Sequence, residues 1–283
     1  MSKSCKALLT LLFFPLLLGA QEKQFLRELR PCYFVSGIPV GSAPDKETAD
    51  VKFQLSLGFN IASDIAGKGL DLAFGYTQIS LWNLFAHSSP FYDNTYVPGL
   101  YMFKAYELRS GSGRLTAGLE HRSNGRDDAY SRSINYAFCS FDRKVVLRSA
   151  ASLTLTAGVR LGTGWYGDDP TFDIMYRYMG LARFKALYSP AGRRWEFSGE
   201  VLPLFNSAAP ANVMLEGAWC PFRKAGNPYL FVQYHYGYDE AFRDCVTAGG
   251  PRIDADGNVP YDGLSPARPR GMLRFGLSFT PGF

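Results

Sequence analysis

The chain has 283 residues, with 30 Lys+Arg against 25 Asp+Glu and a formal net charge of +5. No basic run or stripe accompanies that balance, which argues against nucleic acid as the intended partner. A mean hydropathy of −0.10 with no long apolar run after residue 20 excludes a helical membrane protein, while 15% aromatic residues, 29 glycines and only 19% charged residues suit strands and turns.

Residues 1–20 carry Lys3 and Lys6, then an apolar run from Ala7 to Leu18, and end in Leu-Gly-Ala. This pattern is that of a secretory signal, too short for a membrane span, with cleavage expected after Ala20. The residue directly after the cleavage point is Gln21 and not a cysteine, so a lipoprotein reading has no support; removing the two leader lysines leaves 28 basic against 25 acidic residues. Residues 21–50 mix charge with Pro, Gly and Ser and are expected to form a periplasmic N-terminal segment with one short strand near Tyr33 to Val35. No second domain is visible after it. Cys32, Cys139, Cys220 and Cys245 remain in the mature chain. Four cysteines allow three pairings and none has metal-like spacing, so they are expected to be isolated or optionally paired, without a chemical role.

From Val51 onward the side chains alternate with period two. Phe53, Leu55, Leu57, Phe59 and Ile61 oppose Lys52, Gln54, Ser56, Gly58 and Asn60; Leu153, Leu155, Ala157, Val159 and Leu161 oppose Ser152, Thr154, Thr156, Gly158 and Arg160; Leu273, Phe275, Leu277 and Phe279 oppose Met272, Arg274, Gly276 and Ser278. This is the signature of strands whose two faces meet different surroundings. A soluble sandwich alternates too. Three features favour a closed antiparallel transmembrane β-barrel over residues 51–283: segments of about 10 residues, polar faces bearing Arg and Glu, and Tyr and Trp near segment ends. The chain also ends on Phe283 after an alternating aromatic strand, a common ending for barrels exported through a periplasm, so an outer membrane of the Gram-negative type is the expected destination.

The segment Leu119 to Asn135 reads LEHRSNGRDDAYSRSIN. His121 and Ser123 continue the apolar face of Leu115, Ala117 and Leu119, so an imidazole and a hydroxyl share one face on adjacent same-face positions. That geometry lets a base take a proton from an alcohol nucleophile. Asn135 falls on the returning strand after a polar turn around Arg126, Asp127 and Asp128, where its amide could orient the ring. Alone, a His-x-Ser on a strand also fits a solvated polar pair.

The segment HRSNGRDDAYSRSIN resembles the active-site segment of the outer-membrane phospholipase A family, the phospholipases A1 of Gram-negative outer membranes. GYTQISLWNLFAHSSPFYDNTY upstream, VKFQLSL at Val51, GDDP at Gly167, RYMG at Arg177 and QYHYGYDEAFRD near the C-terminus are similar to the same family, and together they cover most of residues 51–283. The resemblance implies about twelve strands and hydrolysis of phospholipid acyl esters, of the A1 or A2 type and extending to lysophospholipids. Ser123 would be the nucleophile, His121 the general base and then acid, and Asn135 the orienting residue. It implies Ca2+ as cofactor, with ligands from the Ser131 hydroxyl, the Arg126 backbone carbonyl and Ser88 of a second subunit. A calcium-bound water and the Ser123 N–H would then stabilise the tetrahedral intermediate. Asp128 and one of Asp168 or Asp169 match a second calcium site, although turns also carry solvated carboxylates. Gln78 extends the apolar face of Leu70, Leu72, Phe74 and Tyr76, and the matching glutamine of the family lies in a homodimer interface. The chain departs from the family pattern at Ala129, Tyr130 and Ile134, and its Trp82 to Ser88 loop is about two residues shorter. The competing class is a non-enzymatic barrel, a passive pore or structural protein, which accounts equally for the signal, the alternation and Phe283 but not for a His, Ser and Asn set directed outward.

Overall fold

The computed structural model describes residues 26–46, 48–126, 133–147, 150–162, 175–192, 194–205, 209–221, 228–238 and 269–279. The leader, Cys245 and Phe283 lie outside them. Thirteen strands follow in order: β1 (Leu26–Arg27), β2 (Tyr33–Val40), β3 (Asp50–Ala62), β4 (Leu70–Trp82), β5 (Phe91–Leu108), β6 (Gly111–Ser123), β7 (Ser133–Val146), β8 (Ser152–Gly162), β9 (Ala182–Ser189), β10 (Trp195–Pro203), β11 (Ala211–Trp219), β12 (Tyr229–Gly237) and β13 (Arg270–Ser278). From β2 to β13 each strand pairs antiparallel with the next, and β13 pairs back onto β2 through Phe275↔Ser36. The result is a closed barrel of twelve strands, with the two-residue β1 bridging to β3 at Arg27↔Gly58. Closure leaves no strand edge to satisfy, which is what a lipid surrounding demands of a sheet.

The burial pattern is inverted relative to a soluble core. Leu119, Val159 and Leu161 are more than half exposed, as are Ile61 and Phe275, whereas Lys52, Gln54, Ser56, Gln233 and Arg274 are buried. The expected alternation therefore holds, with the apolar side outward. Aromatic pairs mark the two ends of the wall: Trp82 stacks on Phe91 at 5.1 Å where β4 turns into β5, and Trp195 stacks on Trp219 at 5.4 Å at the opposite end of β10 and β11. Cys139 is exposed, Cys220 buried and Cys32 intermediate between them.

One expectation is corrected. Residues 21–50 were expected to precede the barrel, yet β2 within them is a full stave between β13 and β3. The reason lies on a single rung. Arg274 pairs across with Gly37, and Gly37 with Asp50. Arg274 lays its side chain across β2 to Asp50, with Nε on Oδ1 at 2.8 Å and Nη2 on Oδ2 at 2.7 Å, both residues buried. A Cβ at position 37 would fall 2.3 Å from Arg274 Cγ, so only glycine admits the crossing. Tyr92 donates a further bond to Asp50 Oδ2 at 2.7 Å.

Other polar bridges line the inner wall. Lys52 donates to Gln233 Oε1 at 3.0 Å, Gln233 to Glu216 Oε1 at 2.9 Å, and Ser198 to Glu216 Oε2 at 2.9 Å; Arg183 pairs with Glu200 at 2.7 Å. Between β1 and β2 the chain breaks inward, and Leu29 settles over β3 and β4. A Cβ at Gly75 would lie 2.1 Å from Leu29 Cδ1, so the inner wall is cleared for it. Gln54 caps the break by donating to the Pro31 carbonyl at 2.7 Å.

Candidate active site

β6 alternates faces to its last residue. Glu120 and Arg122 are buried in the lumen, while Leu119, His121 and Ser123 follow the outer face. Register sets His121 directly opposite Asn135 on β7 and Ser123 opposite Ser133. His121 Nδ1 and Asn135 Oδ1 are 2.8 Å apart. An amide oxygen only accepts, so the ring must donate from Nδ1, which leaves the Nε2 lone pair available as a base. Ser123 is the next residue on that face. No hydrogen bond from its hydroxyl to the ring is recorded among the described residues, a contact commonly loose before a substrate closes on it. The structure thus joins His121 with Asn135 and sets Ser123 beside them on the lipid-facing side, at the end of the barrel where β6 turns into β7.

After Ser123 the chain leaves the sheet. The Arg126 N–H bonds the Asn124 side-chain oxygen at 3.4 Å, and the Arg126 guanidinium donates to the Tyr92 carbonyl at 3.1 Å, tying the start of the turn to β5. Of the expected calcium ligands, Arg126 is described, whereas Ser131, Asp128, Asp168 and Asp169 lie outside the described residues, as do Ala129 and Tyr130. Ser88 sits exposed at the tip of the β4–β5 connection in a left-handed conformation, φ 62°, with Ser89 at φ 43°. Two such residues in succession make a tight corner that costs steric strain outside glycine. The corner is braced by Trp82 Nε1 donating to the Ser89 carbonyl at 2.7 Å, and the Ser88 hydroxyl lies 3.1 Å from Nδ1 of its neighbour His87. A backbone carbonyl and an exposed hydroxyl are hard oxygen donors of the kind calcium takes, so the described part of the set fits the ion.

Gln78 faces outward, as expected, but its amide is half satisfied within its own strand. Tyr76 donates to Gln78 Oε1 at 3.1 Å and Gln78 Nε2 donates to Ser80 at 3.2 Å. An amide has four bonding positions, so two remain for a headgroup or a second chain.

Sequence reasoning missed what lies behind β6. Inside the barrel, Glu120 accepts bonds from Tyr101 at 2.7 Å, from Arg30 at 2.5 Å and from Tyr136. The alternation placed Glu120 on the polar face beside His121. Nothing in the sequence pointed Arg30, in a segment read as periplasmic, towards it.

A family model described as Phospholipase A1 matches residues 38–245. Phospholipases A1 from Escherichia coli (strain K12) and Salmonella typhimurium are 42% identical over 91 residues, 30% of this chain and 32% of theirs. A putative phospholipase A1 from Neisseria meningitidis is 34% identical over 97 residues, 32% of this chain and 25% of its own. The chain thus spans about a third of the length of the curated relatives it matches. Among solved structures, outer membrane phospholipase A from Escherichia coli is similar with a TM-score of 0.69 at 22% identity, over 94% of this chain and 95% of that one. A Salmonella typhi outer membrane phospholipase dimer with bound calcium gives 0.69 at 21% identity, over 94% and 96%. At these identities the structural likeness establishes the barrel.

Proposed function

Because the chain belongs to the phospholipase A1 family, we propose that it is an outer-membrane enzyme hydrolysing the acyl esters of phospholipids through Ser123, His121 and Asn135. The observation that carries this reading is the 2.8 Å bond between His121 and Asn135 on the outer face, one same-face position from Ser123. A lumen-facing set would meet soluble molecules; this one faces the zone where phospholipid ester carbonyls reside.

His121 Nε2 takes the Ser123 proton as Oγ attacks the carbonyl carbon of the ester. The tetrahedral adduct collapses when the same nitrogen returns the proton to the departing alcohol, which leaves as a lysophospholipid. Water, deprotonated by His121, then cleaves the acyl-serine, releasing a fatty acid. Asn135 keeps the ring in the Nδ1–H tautomer throughout. A neutral amide in this role is less costly to desolvate near lipid than a carboxylate, and in exchange stabilises the imidazolium less. Ca2+ held by the Arg126 carbonyl, Ser131 and Ser88 of a second copy would supply electrostatic stabilisation of the oxyanion, with Asp128 and Asp168 as a second site. Residues 1–20 serve as the export signal in this reading.

Hydrolysis of mixed phospholipid micelles by the refolded barrel tests the reading. Fatty acid should be released with calcium and fall to background with a chelator. A folded barrel that releases none in either condition would return the passive pore or structural barrel to first place.

Dimerisation belongs to the same proposal, because the family resemblance implies that Ser88 ligates from a partner. Gln78→Leu removes the outward amide and should lower both the dimer fraction in detergent and the activity at dilute protein by about threefold to tenfold. Cross-linking yields equal to those of the wild type would remove Gln78 from the interface.

A further inference from the structure

Two hydrogen bonds join β6 to β7 at the site, on consecutive rungs and opposite faces of the wall. Outside, His121 meets Asn135; inside, at the adjacent rung, Tyr136 donates to Glu120. The Glu120 carboxylate is almost fully buried and gathers several elements. It accepts from Tyr101 on β5 and from Arg30, whose other arm donates to Thr77 on β4 at 3.1 Å.

The manner in which the cation arrives is informative. Other inner carboxylates take their arginine from a nearby strand, as Arg183 reaches Glu200 and Arg114 reaches Asp142. Glu120 takes its arginine from 90 positions away, outside the regular strands. To deliver it the chain breaks between β1 and β2, folds inward, caps the Pro31 carbonyl with Gln54 and clears Gly58 and Gly75 for Leu29. Neighbouring residues of a strand are about 3.3 Å apart and project to opposite faces. Whatever fixes the spacing and twist of β6 against β7 at the Glu120 rung therefore fixes them at the His121 rung.

We infer that Glu120, clamped by Arg30 and Tyr136, is a positioning residue acting through the barrel wall: it holds β6 and β7 so that His121 stays against Asn135 and aims at Ser123. The inference rests on the hydrolase reading above. Tyr136 is the informative handle, because its hydroxyl bridges the same two strands as the His121–Asn135 pair. Tyr101 bonds the same carboxylate from β5, which carries no member of the triad.

A double-mutant cycle on lipid hydrolysis tests it, with folded barrel quantified by heat-modifiable gel mobility. Tyr136→Phe should lower kcat about tenfold with KM unchanged, and Tyr101→Phe less than about threefold. In an Asn135→Ala background, Tyr136→Phe should change kcat less than about twofold, because the rung it steadies no longer holds an orienting group. The same tenfold loss in both backgrounds, or wild-type kcat in folded Tyr136→Phe, overturns the inference and leaves Tyr136 as wall packing. If Tyr136→Phe does not fold, the cycle is run with Glu120→Gln, which preserves shape, and the same criterion decides. A folded wild type without lipid hydrolysis overturns the hydrolase reading and this inference with it, whereas an active wild type with no coupling overturns only the inference.

Discussion

Ser123→Ala should lower phospholipid hydrolysis by at least about a thousandfold while the barrel folds normally, and His121→Ala should do the same. Residues that act as one unit lose nearly everything when either is removed, because each is useless without the other. Asn135→Ala should cost less, about tenfold to a hundredfold, since its amide orients the ring without exchanging a proton with substrate. Combining Ser123→Ala with His121→Ala should add little to either alone. The folded state of all three variants is safe to expect, because the side chains lie on the outer face and none joins the lumen bridges. Comparable hydrolysis by folded Ser123→Ala would sink the assignment of the nucleophile. An Asn135→Ala variant as dead as Ser123→Ala would mean that the amide does more than orient.

Arg274→Met should undo barrel closure. It leaves Asp50 buried in the seam between β13, β2 and β3 with the Tyr92 hydroxyl as its remaining partner of the pair described above. Removing one member of a buried ion pair costs about 3–5 kcal/mol, because the other charge is stranded. In urea, the midpoint for folding into lipid should shift accordingly, and much of the shift should return in Arg274→Met combined with Asp50→Asn, which removes both charges. Gly37→Ala should fail by a different route, since its Cβ would occupy the path of the Arg274 side chain. Unchanged folding midpoints for both Arg274→Met and Gly37→Ala would show that the clasp is incidental to closure. Because closure and catalysis lie on different parts of the wall, the folded fraction of Arg274→Met should retain lipid hydrolysis when calcium is present.

The sequence by itself determined the period-two character of the wall, which face would be apolar, and that His121 and Asn135 would meet on it beside Ser123. Strand alternation is local, so the outward exposure of Leu55, Leu57 and Phe275 against buried Gln54, Ser56 and Arg274 could be read without a fold. The proposed triad was legible for a related reason. His121, Ser123 and Asn135 lie on two adjacent strands joined by one turn, so their spacing along the chain nearly fixes their spacing across the hairpin. What only the tertiary structure decided is which distant segments meet inside the barrel. Arg274 meets Asp50 across 224 positions and Arg30 meets Glu120 across 90, and no periodicity within a strand encodes such partners. They are set by barrel closure, which brings segments distant along the chain to the same stretch of inner wall. The same reason explains the misplaced beginning of the barrel. β2 is short, with a broken approach and a glycine at its centre, features that resemble a loop in sequence. Only its pairing with both β13 and β3 makes it a wall.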